Sequence, residues 1–327
     1  MNRIGRALAA AAMLVFGCSC SERAKSSVPT LRIAHSTWIG YGALYIAKEK
    51  GYFSQAGVDV EPTVIEASSD AIAAMEGGRL DAVASTMDNL TLFSGNGAEL
   101  SVVLALDESH GGDGIVGKKD IAGVAGLKGR TVAVQRGSVS QFLLAQTLGQ
   151  VGLSNKDVNE IDMKSGDAGA AFVAGRVDAA VTWQPWLSKA RATNFGKVLI
   201  DTRSLPGLVV DVVAVRPEYL RDNPKAIEGL VRGYYKAIAF MQNNPADAKE
   251  IIARNLKMTP ASLDSSWNDV IFFGKAENQS FFVGPTGGTS PALALAKNAG
   301  SFYARIGVLE KAPAPEAIIA FKTPADN

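Results

Sequence analysis

The chain has 327 residues, more than the roughly 100 to 200 of a typical domain, and this length predicts two lobes. A hydrophobic fraction of 47% with 20% charged residues is ordinary globular composition, which excludes a disordered, collagen-like or coiled-coil chain. Lys and Arg number 33 against 32 Asp and Glu. Because phosphate binding calls for a basic excess, nucleic acid is excluded as an expected partner.

The first twenty residues have the pattern of a secretory signal. Arg3 and Arg6 precede a short apolar run, residues 7–16, which is about half of the roughly 20 residues that span a bilayer. Both cysteines of the chain, Cys18 and Cys20, follow this run. The rest of the chain therefore has no thiol for catalysis, zinc binding or disulfides.

Residues 14–18 resemble a bacterial lipobox, in which a cysteine after a small residue is acylated and becomes the mature N-terminus. The resemblance implies a signal peptide over 1–17, lipidation of Cys18 and a lipidated tether over 18–30. Cys20 is the alternative acceptor, and an ordinary cleaved signal is the alternative to lipidation. We expect lipid anchoring to a membrane, on its periplasmic or cell-surface side.

After residue 30 the chain alternates short β-like runs with amphipathic helical patterns, which predicts an α/β fold with parallel sheets flanked by helices. The predicted strands cover residues 31–35, 58–64, 81–85, 100–106, 131–134, 177–183 and 208–215. The clearest helical patterns cover residues 41–50, 138–150 and 224–242.

An internal echo indicates two lobes built on one plan. The stretch AAMEGGRLDAVAST at 73–86 is similar to AAFVAGRVDAAVTW at 170–183, and both contain a Gly-Arg pair followed by an Asp. In each copy a helix is predicted to end at a glycine, because glycine tolerates the left-handed conformation of a C-cap. Chance similarity of two αβ units is the alternative. Open α/β lobes bind ligands at the carboxyl ends of their strands, so we expect a shared cleft there.

Four stretches resemble the extracytoplasmic solute-binding proteins of the nitrate/sulfonate/taurine group of ABC transporters: residues 38–53, 74–86, 126–144 and 167–187. The resemblance implies a type II periplasmic-binding-protein fold, in which each lobe is a mostly parallel sheet flanked by helices and two crossings join the lobes. Lobe 1 would comprise 31–115 plus 214–327, and lobe 2 would comprise 116–213.

The same resemblance implies a protein that captures a small solute by hinge closure and delivers it to an ABC permease and its ATPase. We expect a monomer with no cofactor, no metal and no catalytic residue. An enzyme on the same fold, similar to a pyrimidine-precursor synthase, is the alternative from another class. It is disfavoured because the chain has no HExxH or GxSxG motif and no thiol beyond Cys20.

Aromatic and hydroxyl side chains stand at several predicted strand ends. Trp38, Tyr41 and Trp183 fall in predicted cleft segments, where aromatic faces hold cations or pack on short alkyl chains. Core packing is the alternative, above all for Tyr41. Ser36 follows the first strand, and Ser138 opens the first helix of the second lobe, whose free N–H groups suit an oxyanion. An ordinary N-cap is the alternative for Ser138.

Three acids complete the predicted ligand-binding set. Asp88 follows the first echo strand, with capping of the next helix as its alternative role. Asp107 comes directly after an apolar strand, whereas Asp113 is interpreted as part of a solvated loop or hinge. Asp211 interrupts the apolar run 208–215, so it must be paired or hydrogen-bonded, either as a structural acid between lobes or as the receptor of a cationic ligand group.

The predicted set is rich in acids and aromatic rings. A nitrate or simple sulfonate site needs more donors than acceptors. We therefore expect a small nitrogenous solute, cationic or zwitterionic, and keep a sulfonate- or nitrate-type anion as the alternative.

Overall fold

The structure is a computed structural model that describes residues 28–285 and 288–322. The predicted signal peptide, Cys18, Cys20 and most of the predicted tether lie outside the described residues. In the described part of the chain, no helix is both long enough and apolar enough to cross a membrane.

Eleven strands and thirteen α-helices make up the described residues, with short 3-10 turns between them. The strands are β1 (Thr30–His35), β2 (Asp59–Val64), β3 (Ala82–Thr86), β4 (Ser101–Ser109), β5 (Asp113–Lys118), β6 (Thr131–Val134), β7 (Asn159–Asp162), β8 (Ala179–Trp183), β9 (Gly196–Asp201), β10 (Val210–Val215) and β11 (Val270–Phe272). The helices are α1 (Gly42–Glu49), α2 (Tyr52–Gln55), α3 (Ser68–Glu76), α4 (Met87–Gly95), α5 (Val139–Gln150), α6 (Ser165–Val173), α7 (Trp186–Ala192), α8 (Pro217–Asp222), α9 (Pro224–Asn243), α10 (Pro245–Asn255), α11 (Pro260–Trp267), α12 (Lys275–Val283) and α13 (Pro291–Arg305).

The strands form two separate sheets, each flanked by helices. The first has the order β11-β4-β10-β3-β1-β2, and the second has the order β7-β6-β8-β5-β9. Buried apolar side chains cover both faces of each sheet, which explains why β10 is buried along its whole length and is apolar except at Asp211. The predicted α/β fold with two lobes is confirmed.

The chain crosses between the sheets twice. It leaves the first sheet at the end of β4 and enters the second through β5 after residues 110–112. It returns from β9 through residues 202–209 into β10. The boundaries predicted at 115/116 and 213/214 fall inside β5 and β10, so we propose to place them in the two crossing segments instead.

Both sheets are mixed rather than mostly parallel. β1 is parallel to β2 and β3, and β6 is parallel to β7 and β8, whereas β5 and β10 are antiparallel to both of their neighbours. The reason is the direction of the crossings. β5 and β10 are the strands that follow the two crossings. Each starts at the edge of its sheet where the parallel strands of that sheet end, and therefore runs in the opposite direction.

The internal echo has a structural counterpart. α3 and α6 begin 97 residues apart, at Ser68 and Ser165, and the strands that follow, β3 and β8, keep the same offset. Gly78 and Gly175 both have a left-handed backbone, with φ of 70° and 73°. The two lobes repeat one helix, turn and strand.

A side chain of the second lobe packs into the core of the first. Phe142 on α5 is fully buried, and its ring centroid lies 5.5 Å from that of Phe302 and 6.4 Å from that of Tyr303, both on α13. Aromatic pairs at these separations attract each other beyond the area that they bury. This contact attaches α5 to the first lobe.

Asp81 and Asp178, the acids at corresponding positions of the internal echo, have structural roles. Asp81 accepts hydrogen bonds from the backbone N–H and guanidinium of Arg32 and from Arg216, and Asp178 accepts them from the backbone N–H of Thr131 and from Lys118. Each acid joins the start of its strand to the neighbouring parallel strand. Burial opposes ionisation of Asp81, but the hydrogen bonds from the two arginines outweigh it and lower the pKa of that carboxyl.

We expect Asp81→Asn to lower the free energy of unfolding by about 2 kcal/mol or more, because two arginines and the backbone N–H of Arg32 lose a charged acceptor that is itself buried. Asp178→Asn is the matched control, and its effect should be about half as large, since the side chain of Asp178 is 24% exposed and that of Asp81 is 5% exposed. Urea denaturation at pH 7 measures both values. An equal or larger loss for Asp178→Asn would contradict this assignment.

Candidate ligand-binding cleft

A cavity of about 290 Å³ lies between the lobes, where the strands of both sheets end. Its volume is close to the lower limit for ligand pockets and suits a small solute. Its lining comprises Ser36, Thr37, Trp38, Tyr41, Glu66, Ala67, Ser68, Ser69, Ser85, Thr86, Asn89, Leu92, Phe93, Asp113, Gln135, Arg136, Gly137, Ser138, Val139, Trp183, Val209 and Asp211.

Several helices begin at the wall of this cavity. Ser68 and Ser69 open α3, Thr86 is the N-cap residue of α4, and Ser138 is the N-cap residue of α5. The first turn of a helix has N–H groups without intrahelical partners and carries the positive end of the helix dipole. Three such starts around one cavity favour an anion, and they act against the acids Glu66, Asp113 and Asp211 in the same lining.

Short polar side chains reinforce these helix starts. The Ser138 hydroxyl donates to the carbonyl of Gln135 at 2.8 Å and accepts from the N–H of Ser140 at 3.2 Å. The Asn89 amide donates to the Ser68 hydroxyl at 3.4 Å, which joins the starts of α3 and α4. These side chains are neutral, and their hydrogen bonds hold the helix starts in place around the cavity without adding a fixed charge.

Part of the wall is apolar. The half-buried rings of Trp38 and Trp183 come from different lobes, and Leu92, Phe93 and Val139 add aliphatic and aromatic surface. A ligand that filled the cavity would touch both polar helix starts and apolar rings. This combination fits a small organic solute with one charged group.

Two buried acids stand side by side at the cavity: Asp211 lines the cavity wall, and Asp107 lies behind it. Asp211 on β10 is the register partner of Asp107 on β4. Tyr41 donates its hydroxyl hydrogen bond to Asp211, and the indole N–H of Trp38 donates to Asp107 at 2.9 Å. Gly40 lies against the pair, because a Cβ atom there would approach the Asp107 carboxyl within 2.0 Å.

Burial makes ionisation of this pair unfavourable. It raises the pKa of Asp107 to about 7, with the hydrogen bond from Trp38 acting against it and the charge of Asp113 adding to it. Burial and then the charge of Asp107 raise the pKa of Asp211 well above its usual range. At neutral pH the pair therefore retains a proton and carries less charge than two carboxylates.

Two further buried acids lie nearby. Burial raises the pKa of Asp88 to about 6, although Tyr303 donates a hydrogen bond to it. Burial raises the pKa of Asp113 to about 6 as well, against a hydrogen bond from Ser109. Asp113 lines the cavity, so its interpretation as a solvated loop residue was wrong: it is buried at the start of β5.

The structure brings six of the eight predicted site residues together in the cavity wall: Ser36, Trp38, Tyr41, Ser138, Trp183 and Asp211. Asp88 and Asp107 lie behind the wall instead. Asp88 sits in the first turn of α4 and accepts a hydrogen bond from Tyr303 at 2.9 Å, and Asp107 is fully buried against Asp211. Contact of the six with a ligand is a proposal.

The start of α3 is the part of the cavity that the sequence interpretation missed. Ala67, Ser68 and Ser69 line the wall, and none of them was among the predicted site residues. The signal was present: two serines and an acid precede an apolar helical pattern, which is typical of a helix N-terminus.

Two lobes joined by two crossings around a cavity define the class of two-lobed periplasmic-type binding proteins. The fold is similar to that of the periplasmic aliphatic sulphonate binding protein of Escherichia coli, with a TM-score of 0.74 at 21% identity over 88% of this chain and 96% of that one. The chain belongs to the NMT1/THI5-like family, whose sequence profile matches residues 38–248. The family-level resemblance predicted from the sequence is confirmed.

Curated relatives are named as binding proteins. A putative aliphatic sulfonates-binding protein of Escherichia coli K12 is 34% identical over 146 residues, which are 45% of this chain and 45% of the relative. A putative binding protein of Brucella abortus is 26% identical over 237 residues, or 69% of this chain and 73% of the relative.

The fold is also similar to that of a desulfurization enzyme, with a TM-score of 0.62 at 18% identity over 89% of this chain and 96% of that one. The fold alone therefore does not decide between binding and catalysis.

We expect Asp88→Asn to stabilise the protein increasingly as pH rises from 4 to 7. The folded wild type holds the Asp88 proton up to about pH 6, whereas the unfolded chain releases it near 3.8, so the wild type loses stability across this window and the amide does not. A shift of this size corresponds to about 3 kcal/mol at most. Urea denaturation at both pH values measures the difference between variant and wild type, and a constant difference would contradict it.

Proposed function

We propose that this protein is the extracytoplasmic solute-binding component of an ABC importer and that its solute is a small organic sulfonate-type anion. The observation that carries the proposal is the convergence of the starts of α3, α4 and α5 on one cavity. Helix starts stabilise an oxyanion through backbone N–H groups and do not need a basic side chain. The relatives named as sulfonate-binding proteins support the same choice.

The cationic solute expected from the acid-rich sequence fits the cavity less well. That expectation counted Asp88, Asp107 and Asp211 as negative groups facing the ligand. Asp88 and Asp107 lie behind the wall, and burial raises the pKa of both Asp107 and Asp211. Of the three acids that line the cavity, Asp113 and Asp211 have pKa values raised by burial, and Glu66 accepts hydrogen bonds from Thr37, so the negative charge available to attract a cation is smaller than the residue count indicates.

The apolar part of the wall favours an organic sulfonate over nitrate. Nitrate has no apolar surface to contact Trp38, Trp183 or Phe93, whereas an alkyl chain of a few carbons gains about 0.8 kcal/mol per buried methylene. A cavity of about 290 Å³ holds a short chain together with a sulfonate group. We therefore propose a short-chain alkanesulfonate as the best fit.

Capture would proceed by hinge closure at the two crossings, 110–112 and 202–209, because these segments join the lobes on one side of the cavity. The expected partners are an ABC permease and its ATPase. Anchoring through Cys18, with Cys20 as the alternative, would hold the protein at the outer side of a membrane.

The first experiment is a thermal-shift and calorimetry screen of the purified protein against alkanesulfonates, nitrate, guanidines and alkylamines. Short-chain alkanesulfonates should raise the melting temperature and bind with the highest affinity, because a ligand that binds only the folded state stabilises it by mass action. Binding of amines or guanidines alone would contradict the anion proposal. Chemical conversion of a bound sulfonate would contradict the binding-protein proposal.

A second experiment places a negative charge at one helix start. Ser69→Asp should weaken alkanesulfonate binding by about tenfold or more, since two like charges at close range repel each other even where water screens them. The same change favours helix α3 itself, because acids stabilise helix N-termini, so loss of binding would not reflect unfolding.

Two control variants accompany Ser69→Asp in the same calorimetric titration. Ser69→Asn changes size without charge, and Ser262→Asp adds the same charge to the start of α11, away from the cavity lining. Both should bind within about threefold of the wild type. Equal affinity of Ser69→Asp and Ser69→Asn would remove the start of α3 from the binding site.

A further inference from the structure

The Asp107 and Asp211 carboxyl pair has an unusual position for an anion-binding cavity. Asp211 lines the cavity, and its partner Asp107 stands directly beside it on the neighbouring strand. Asp107 is fully buried and Asp211 is 3% exposed. If both carboxyls were ionised, an incoming anion would meet two negative charges in a poorly screened site.

The contacts of the pair stabilise it without a cation. Tyr41 and Trp38 are neutral donors, one to each carboxyl group. Tyr234 on α9 also faces the pair, and it donates its own hydroxyl hydrogen bond to the carbonyl of Leu106. Neutral donors tolerate a protonated carboxyl, whereas a guanidinium or ammonium would drive it to ionise.

The charged groups that act on the pair from neighbouring elements are acids. They are Asp88 on α4, Asp113 on β5 and Glu108 on β4. The nearby arginines are engaged elsewhere: Arg136 at the cavity wall pairs with Glu160, and Arg203 pairs with Asp201 and Asp269. The field at the pair thus favours retention of a proton, and a bound anion strengthens that field.

We propose that the Asp107–Asp211 pair is a proton-dependent specificity element, which must hold its proton for a simple alkanesulfonate to bind and takes up a proton when that anion enters. The proposal rests on the sulfonate function proposed above and adds a regulation to the same site. Because linkage is reciprocal, the affinity for an alkanesulfonate falls as pH rises above the range in which the free pair loses a proton.

Whether ligand binding takes up or releases a proton distinguishes two kinds of sulfonate. A plain alkanesulfonate stays fully ionised across neutral pH and brings only negative charge, so its binding raises the pKa of the pair and draws in a proton. An aminosulfonate that placed its ammonium against Asp211 would have the opposite effect and release one. The ionisation of the pair therefore selects against plain alkanesulfonates at high pH.

The test is calorimetric titration of the wild-type protein with butane-1-sulfonate between pH 6 and pH 9, in two buffers with different enthalpies of ionisation. The affinity should fall by about tenfold between pH 7 and pH 9, since a pKa increase of one unit on binding corresponds to a tenfold change. The two buffers should show net proton uptake at pH 8. Binding without proton uptake, or with proton release, would overturn the proposal and leave the sulfonate function intact.

Variants test whether the Asp107–Asp211 pair is the group that takes up the proton. In the double variant Asp107→Asn with Asp211→Asn, the affinity for butane-1-sulfonate should change by less than about threefold over the same pH range. Asp113→Asn is the matched control: it removes a buried cavity carboxyl outside the pair, and it should keep the decline but shift it to lower pH, because the charge of Asp113 no longer raises the pKa of the pair. Loss of the decline in Asp113→Asn instead would overturn the proposal.

Two further outcomes are decisive. If the double variant does not fold, as judged by its melting curve, the proton count of the wild type still decides the question. If no alkanesulfonate binds at any pH, the sulfonate function fails first, and the proton-dependent element falls with it.

Discussion

The pairing of β4 with β10 is the constraint on which the two-lobed arrangement depends. β4 carries the chain out of the first lobe, and β10 brings it back, so their antiparallel pairing fixes both crossings side by side. The same pairing sets Asp107 opposite Asp211 and places the second of these at the cavity. Topology thus determines where the buried carboxyl pair stands relative to the ligand.

The chemistry of the cavity comes from backbone more than from charged side chains. Helix starts concentrate N–H donors, and their dipoles favour an anion, while the acids near them are buried strongly enough to resist ionisation. A composition that is rich in acids can therefore surround a site that attracts negative charge. Two of this chain's relatives are named as aliphatic sulfonates-binding proteins, and binding of such an anion by this chain is our proposal.

Local sequence signals predicted the repeated units of the two lobes. The glycines at 78 and 175 mark left-handed helix ends, and the apolar runs that follow them become buried strands, because these features depend only on neighbouring residues. The strand β5 was not predicted, since Gly114 and Gly117 weaken its pattern. Both glycines are explained by close packing against β9: a Cβ atom would lie 2.5 Å from the carbonyl oxygen of Ile200 or 2.6 Å from the side chain of Leu199. Such packing is visible only in the assembled sheet.

The proposed ligand preference could not be derived from the sequence for a related reason. Whether Asp211 acts as a charge depends on its burial beside Asp107, and whether Ser68 and Ser69 act as donors depends on the direction in which α3 begins. Both facts follow from the fold and not from residue type. The eight predicted residues were chosen by their position after strands, and that topological rule brought six of them to the cavity wall.

Phe142 has a consequence for the unliganded protein. Separation of the lobes on the side of α5 would expose this ring to water, at a cost of about 1.5 to 3 kcal/mol for a fully buried aromatic side chain. That cost favours, in the free protein, the arrangement in which Phe142 contacts α13. A solute that binds this arrangement then spends less of its binding energy on bringing the lobes together.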